Sequence, residues 1–174
     1  MNNFVFQNPT KLVFGKGEIK RLSKLIDKDK KILMTYGGGS IKRNGVYEQV
    51  MQALEGYDIV EFSGIEANPD YSTLMKAVDI CKTQNIDFIL AVGGGSIIDG
   101  TKFIATAAKF EGEDAWDILS KKERLPKPMD FASVLTLPAT ASEMNNGAVI
   151  SRRDRQEKLA FHNPEGYPKF SILD

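Results

Sequence analysis

Two copies of Gly-Gly-Gly-Ser, at Gly37–Ser40 and Gly93–Ser96, are the residues of this chain best suited to chemistry. Each follows an apolar run, Lys31-Ile-Leu-Met-Thr-Tyr36 or Asp87-Phe-Ile-Leu-Ala-Val92, and each opens a helical pattern. Glycines at such a turn let backbone N–H groups approach a ligand with no Cβ in the way, and a helix N-terminus adds unsatisfied donors and a partial positive charge. That chemistry is anion binding. Two such turns in one sheet offer seats for the two ends of a dinucleotide. A tight strand-to-helix connection also favours glycine, but its repetition in the same context weighs toward a ligand.

Covalent and acid–base chemistry has little to work with. His162 is the single histidine, no H-E-x-x-H spacing exists, and a strand-end side chain is the simpler reading of it than a metal ligand. Ser142-Glu143 lies in no G-x-S-x-G context and has no second histidine to complete a triad. The lone cysteine, Cys81, sits in a Leu-Met-Lys-Ala-Val-Asp-Ile-Cys pattern that reads as a helix with a buried thiol, so no disulfide framework exists. No catalytic residue and no metal ligand is assigned from these features.

The elements that must position the glycine turns follow from periodicity. Short strands are predicted at 4–7 and 11–14, then an amphipathic helix with Ile19, Leu22, Leu25 and Ile26 on one face. Strand 31–36 precedes helix 40–55, strand 58–63 precedes helix 70–84, and strand 87–92 precedes helix 96–109. This alternation predicts a Rossmann-like, doubly wound α/β domain over 1–174, with a mainly parallel sheet and helices on both faces. Ligands of such sheets bind outside the carboxyl ends of the strands, where both turns lie. After a polar, proline-marked stretch at 121–130, strand 132–137 leads to Pro138-Ala-Thr-Ala-Ser-Glu143, a hairpin of 147–152 with 157–162, and a buried strand from Phe170.

Lys plus Arg and Asp plus Glu both count 23, so no net field draws nucleic acid or an anionic membrane. The run Arg152-Arg-Asp-Arg-Gln-Glu-Lys158 mixes signs and reads as a solvated hairpin. No apolar segment approaches membrane-spanning length and the start lacks a basic n-region, so the expected compartment is the cytoplasm. Phe4 and Phe6 in an N-terminal edge strand suggest pairing across a homodimer. Ending on an apolar strand with no polar tail gives the chain the look of a longer protein's first part.

Several ordered motifs together resemble one family: Phe14-Gly-Lys-Gly17, Tyr36-Gly-Gly-Gly-Ser40, Gly64-Ile-Glu-Ala-Asn-Pro69, Ala91-Val-Gly-Gly-Gly-Ser-Ile-Ile-Asp-Gly-Thr-Lys102 and Leu135-Thr-Leu-Pro-Ala-Thr-Ala-Ser-Glu143. The whole chain resembles the N-terminal half of the iron-containing (group III) alcohol dehydrogenases, nearest to NADPH-dependent butanol dehydrogenases and aldehyde reductases. In that family an α/β domain binds the nicotinamide cofactor and a following helical domain supplies the Asp and His side chains that hold iron or zinc. The resemblance implies a cofactor-binding half that is inactive alone and binds no metal itself.

It also implies a site. Gly94, Gly95 and Ser96 match the pyrophosphate loop, and Gly37, Gly38, Gly39 and Ser40 match the adenosine-side turn. Asp99 matches an acid directed toward the ribose and nicotinamide, though a first-turn carboxylate also suits the helix dipole. Thr136 and Thr140 match threonines lining the adenosine side, Asn145 and Lys158 match positions reaching the ribose, and Asn68 falls within a cofactor-site motif. Glycine is commoner in the family where Ala141 stands, which leaves the 140–143 turn and any contact of Ser142 open.

Cofactor preference follows from the first turn. NAD-selective sites place a carboxylate near the adenosine ribose, whereas NADP sites offer neutral or basic donors. Gly38-Gly39-Ser40 with Lys42 and Arg43 behind it favours NADP over NAD, unless those cations are simply exposed helix residues. The implied reaction is hydride transfer between NADP(H) and a small aldehyde or primary alcohol. Glycerol dehydrogenase-like and dehydroquinate synthase-like enzymes, or a stand-alone nucleotide-binding module, are the alternatives.

Overall fold

The apolar runs become the strands of one sheet in the computed structural model, which describes residues 3–174. In chain order the elements are β1 (Lys11–Phe14), a 3-10 turn at Glu18–Arg21 running into α1 (Leu22–Leu25), β2 (Lys31–Thr35), α2 (Ser40–Arg43), α3 (Val46–Ala53) and β3 (Asp58–Phe62). There follow α4 (Tyr71–Thr83), β4 (Phe88–Gly94), α5 (Gly95–Ala107), α6 (Asp117–Ser120), β5 (Phe131–Leu137), the hairpin β6 (Gly147–Arg152) and β7 (Glu157–His162), and β8 (Phe170–Leu173).

Six strands form the sheet in the order β1-β8-β5-β4-β2-β3, and every neighbouring pair is parallel. Parallel strands are covered on both faces, which is why β4 reads as a continuous apolar run rather than an alternating one. Successive β2 side chains go to opposite faces. Ile32 and Met34 join Leu22, Ile41 and Val50 under α1–α3, while Leu33 joins Leu74, Val78, Ile98 and Phe103 under α4 and α5. The result is an α/β sandwich of helices, sheet and helices.

The chain leaves β2 through α2 and α3 on one face and runs outward to β3. It leaves β4 through α5 on the other face and runs the opposite way to β5. Adjacent strands whose connections diverge in this manner make a topological switch point, and both Gly-Gly-Gly-Ser turns sit at its mouth.

Two expected elements differ. Residues 4–7 form no strand; Phe4, Val5 and Phe6 lie exposed, since among the described residues nothing pairs with them and the ladder to β8 begins at Lys11. The helix expected over 40–55 is two helices, because Gly45 at φ 81° breaks the ladder after Asn44. Similarly, the Ile19–Ile26 segment is a 3-10 turn with one helical turn, although Ile19, Leu22 and Ile26 are buried as its pattern requires. The hairpin, the strand at 170–173 and the buried Cys81 match expectation. Among the described residues no helix is long and apolar enough to cross a membrane.

Candidate functional site

Helix α5 begins at the carboxyl end of β4 with no side-chain cap and no acidic residue in its first turn. By contrast α4 is capped by Asp70, whose carboxylate accepts from the Ser72 amide at 3.2 Å. The first N–H groups of α5 are therefore open, and the glycines keep them bare. A Cβ at Gly95 would stand 3.1 Å from the Thr140 hydroxyl, so a side chain there would fill the cradle. Gly93 plays another part: a Cβ on it would lie 2.6 Å from Cγ1 of Ile97, so this glycine lets the helix turn back onto its strand.

The neighbouring turn follows β2. Gly37 is held from below by its carbonyl accepting from the Gly64 amide at 3.1 Å, and a Cβ there would press on the Ile65 carbonyl and Ile97. Gly38 and Ser40 are exposed, and Gly39 takes φ 94°. Lys42, expected behind this turn, lies over the rings of Tyr47 and Tyr36, 4.7 and 5.4 Å from their centroids. That placement makes it part of the surface of α2 and α3, bound to aromatic faces.

The third wall is the segment after β5. This strand is buried through Leu135 and surfaces at Thr136 and Leu137, and Thr140 is exposed beside Gly95. Ala141 adopts φ 58° and ψ 30°, the left-handed conformation that glycine would take at no steric cost. Beyond it, Asn145 accepts from the Gly147 amide at 3.1 Å and from the Lys102 ammonium at 2.7 Å.

Asp99 lies between this segment and the hairpin. One carboxylate oxygen accepts from the Ser142 hydroxyl at 2.5 Å and the other from the Val149 amide at 3.1 Å. It ties the wall together, a role the sequence did not suggest for it, and as the fifth residue of α5 it lies beyond the first turn in which the helix dipole would favour it. On the far side, Lys158 of β7 donates to Asn68 Oδ1 at 2.9 Å, so these two expected site residues meet where the hairpin touches the Gly64–Pro69 segment.

Lys102 is the residue sequence reasoning passed over, and the contact of Ser142, left open there, is to this lysine and to Asp99. Lys102 and Ser142 are both buried, Lys102 at 1% exposure, and the Lys102 ammonium donates to Ser142 Oγ, Asn145 Oδ1 and the Gly147 carbonyl at 3.0, 2.7 and 2.9 Å. Burial pushes its pKa down to about 8, opposed by the charges of Asp99 and Glu143. The stretch Ile97-Ile-Asp-Gly-Thr-Lys-Phe-Ile104 also carries Asp99 and Thr101, so the lysine does not stand out in it as a buried group.

The structure thus gathers both glycine turns, Thr140, Asn145 and Asp99 around the switch point, with Asn68 and Lys158 at the hairpin. A concavity of about 940 Å³ lies elsewhere, between Ile118–Lys127 and Ala160–Glu165, and includes none of them. A sequence profile of iron-containing alcohol dehydrogenases matches residues 9–174. The chain belongs to this family.

Members differ in the cofactor their names carry. A probable NADH-dependent butanol dehydrogenase of Bacillus subtilis is 54% identical over all of this chain and 46% of its own length. The NADPH-dependent aldehyde reductase YqhD of Escherichia coli is 51% identical, again over all of this chain and 46% of its own. The crystal structure of Escherichia coli YqhD superposes with a TM-score of 0.95 over 99% of this chain and 45% of that one. An NADH-dependent butanol dehydrogenase A from Thermotoga maritima, 44% identical, does so at 0.94 over 100% and 44%. The chain spans less than half the length of the curated relatives it matches.

The family name implies iron, and the residues here do not fit it. Among the described residues no group of three or more His, Cys, Asp or Glu side chains converges, and His162 is exposed at the end of β7.

Proposed function

We propose that this chain is the cofactor-holding domain of a metal-dependent alcohol dehydrogenase or aldehyde reductase, with NADP(H) as the cofactor and the metal ligands outside these residues. The observation that carries the reading is the uncapped, glycine-lined start of α5 beside a second glycine turn at the switch point. Gly94, Gly95 and Ser96 hold the pyrophosphate through amides and a hydroxyl. Gly37–Ser40 takes the adenosine end, with Thr136, Thr140, Asn145 and the Asn68–Lys158 pair along the path toward the nicotinamide. When bound, the cofactor supplies the hydride that reduces an aldehyde to a primary alcohol.

NADP is preferred over NAD because the segment Gly37–Arg43 contains no carboxylate and exposes the Ser40 hydroxyl. NAD is the second reading, favoured by the engagement of Lys42 with Tyr36 and Tyr47, which takes one cation away from a 2′-phosphate. Calorimetric titration of the chain with NADPH and NADH decides between them. The expected result is measurable but weak binding of both, with NADPH ahead. Ser40→Asp should then weaken NADPH by on the order of 1 to 3 kcal/mol more than NADH, through like-charge repulsion at the 2′-phosphate. Equal losses would place Ser40 away from the 2′ position, and no binding of either cofactor by folded protein would end the reading.

A further inference from the structure

Lys102 projects from a helix whose residues 100–107 are all buried, a place where an ammonium is costly unless fully partnered. Its partners are all on one side. Ser142, Asn145 and Gly147 belong to the segment that follows β5, so three hydrogen bonds of 3.0, 2.7 and 2.9 Å fasten that segment to α5. An ammonium has three N–H donors and no acceptor, matching the three acceptors presented to it. The Ser142 hydroxyl gives its proton to Asp99 at 2.5 Å, which leaves its oxygen free only to accept from Lys102. Deprotonation of Lys102 would remove one donor from the set and offer Ser142 a lone pair in competition with Asp99.

This arrangement adjoins the open start of α5. Ser142 Cβ would lie 3.9 Å from a Cβ on Gly95, and Thr140 Oγ1 would lie 3.1 Å from it. The segment being fastened also contains Ala141 in a left-handed conformation, which an L-residue holds only when its surroundings fix it.

We propose that Lys102 is a positioning residue of the cofactor cleft: its ammonium clamps the 140–147 segment to α5, fixes Ser142 where it orients Asp99, and sets a buried positive charge beside the helix end that receives the pyrophosphate. The proposal rests on the cofactor reading above. Asp99 on α5 and Glu143 on the facing turn are the charged groups that act on Lys102, and its remaining partners are neutral.

A pH series separates this role from a purely structural one, because the two respond in opposite directions. Lys102 titrates at about 8 in the folded chain against its ordinary 10.5, so between those values the unfolded chain binds more protons and stability rises with pH. Cys81 and Tyr71, both pushed up to about 12 by burial, reverse this as their unfolded forms ionise from 9.0 and 10.0 upward. Resistance to urea therefore climbs up to about pH 9, levels off to about pH 10 and then falls. Affinity for the anionic cofactor should instead decline as Lys102 loses its charge.

The test is NADPH titration of the chain at about pH 7 and about pH 9, with urea unfolding and amide hydrogen exchange of residues 139–149 on the same samples. Wild type should lose affinity severalfold while gaining resistance to urea. Lys102→Met should bind NADPH about tenfold more weakly at about pH 7, lose the pH dependence, and exchange faster over 140–147. Ser142→Ala should move the same readouts by less. Unchanged NADPH affinity in folded Lys102→Met, or wild-type affinity that is flat with pH, would overturn the proposal. If Lys102→Met does not fold, the wild-type pH series and Ser142→Ala decide the matter. Failure of wild type to bind NADPH at all overturns the cofactor reading and the positioning role together, and is recognised before any substitution is made.

Discussion

Ala141 holds φ 58° and ψ 30° in an exposed turn, a conformation in which its Cβ crowds the backbone. Glycine would relieve that strain, but it also gives the unfolded chain more freedom, so the two effects partly cancel. Ala141→Gly should therefore stabilise the chain by a few tenths to about 1 kcal/mol in urea unfolding, and any loss of stability would mean that the methyl group makes packing contacts of its own. The sequence alone shows this residue as a departure from the resembling family. It does not show Lys102, because a lysine within a helix reads as solvated unless the helix is known to be covered. Here the hairpin and the turn after β5 cover it, and the hydrogen bonds that show this span 40 to 45 positions of sequence.

The second glycine turn divides its work among neighbouring positions. Gly93 is required for packing, since an added Cβ meets Ile97 at 2.6 Å, and Gly95 is required for an open cradle, since an added Cβ faces Thr140. Gly93→Ala should destabilise the chain by about 1 to 3 kcal/mol through overpacking. Gly95→Val should leave urea unfolding within about 1 kcal/mol of wild type yet lower NADPH affinity at least about tenfold, as its side chain occupies the space before the helix end. The reverse assignment of effects would show that the cofactor meets the turn from another side. Strand runs, the two turns and the β6–β7 hairpin could be read from periodicity because each is a local pattern. The break at Gly45 leaves only a slight trace, the five-residue step from Ile41 to Val46 that interrupts the helix period, because a single glycine is tolerated inside a helical pattern and the φ of 81° shows only in the backbone. The strand expected at 4–7 failed for a different reason: the β-branched and aromatic run Phe4, Val5 and Phe6 signals strand propensity, but a strand exists only where another strand accepts its hydrogen bonds.

The sheet as a whole brings together two short motifs separated by more than fifty residues. Their strands are neighbours, their helices leave to opposite faces, and on the proposed reading one ligand lies in the gap between the diverging connections. Strand order is set by long-range contacts, so the sequence indicated a parallel sheet and two suitable turns without indicating that β2 and β4 adjoin. On the proposed reading a dinucleotide lies across this switch point and not in the groove by α6. Amide chemical shifts of the labelled chain, recorded during titration with NADPH, distinguish the two locations residue by residue. Perturbations should concentrate in 37–40, 94–99 and 136–149, with further shifts at Asn68 and Lys158. Perturbations centred on 118–127 and 160–165, with the glycine turns silent, would place the cofactor in the groove and refute the switch-point site.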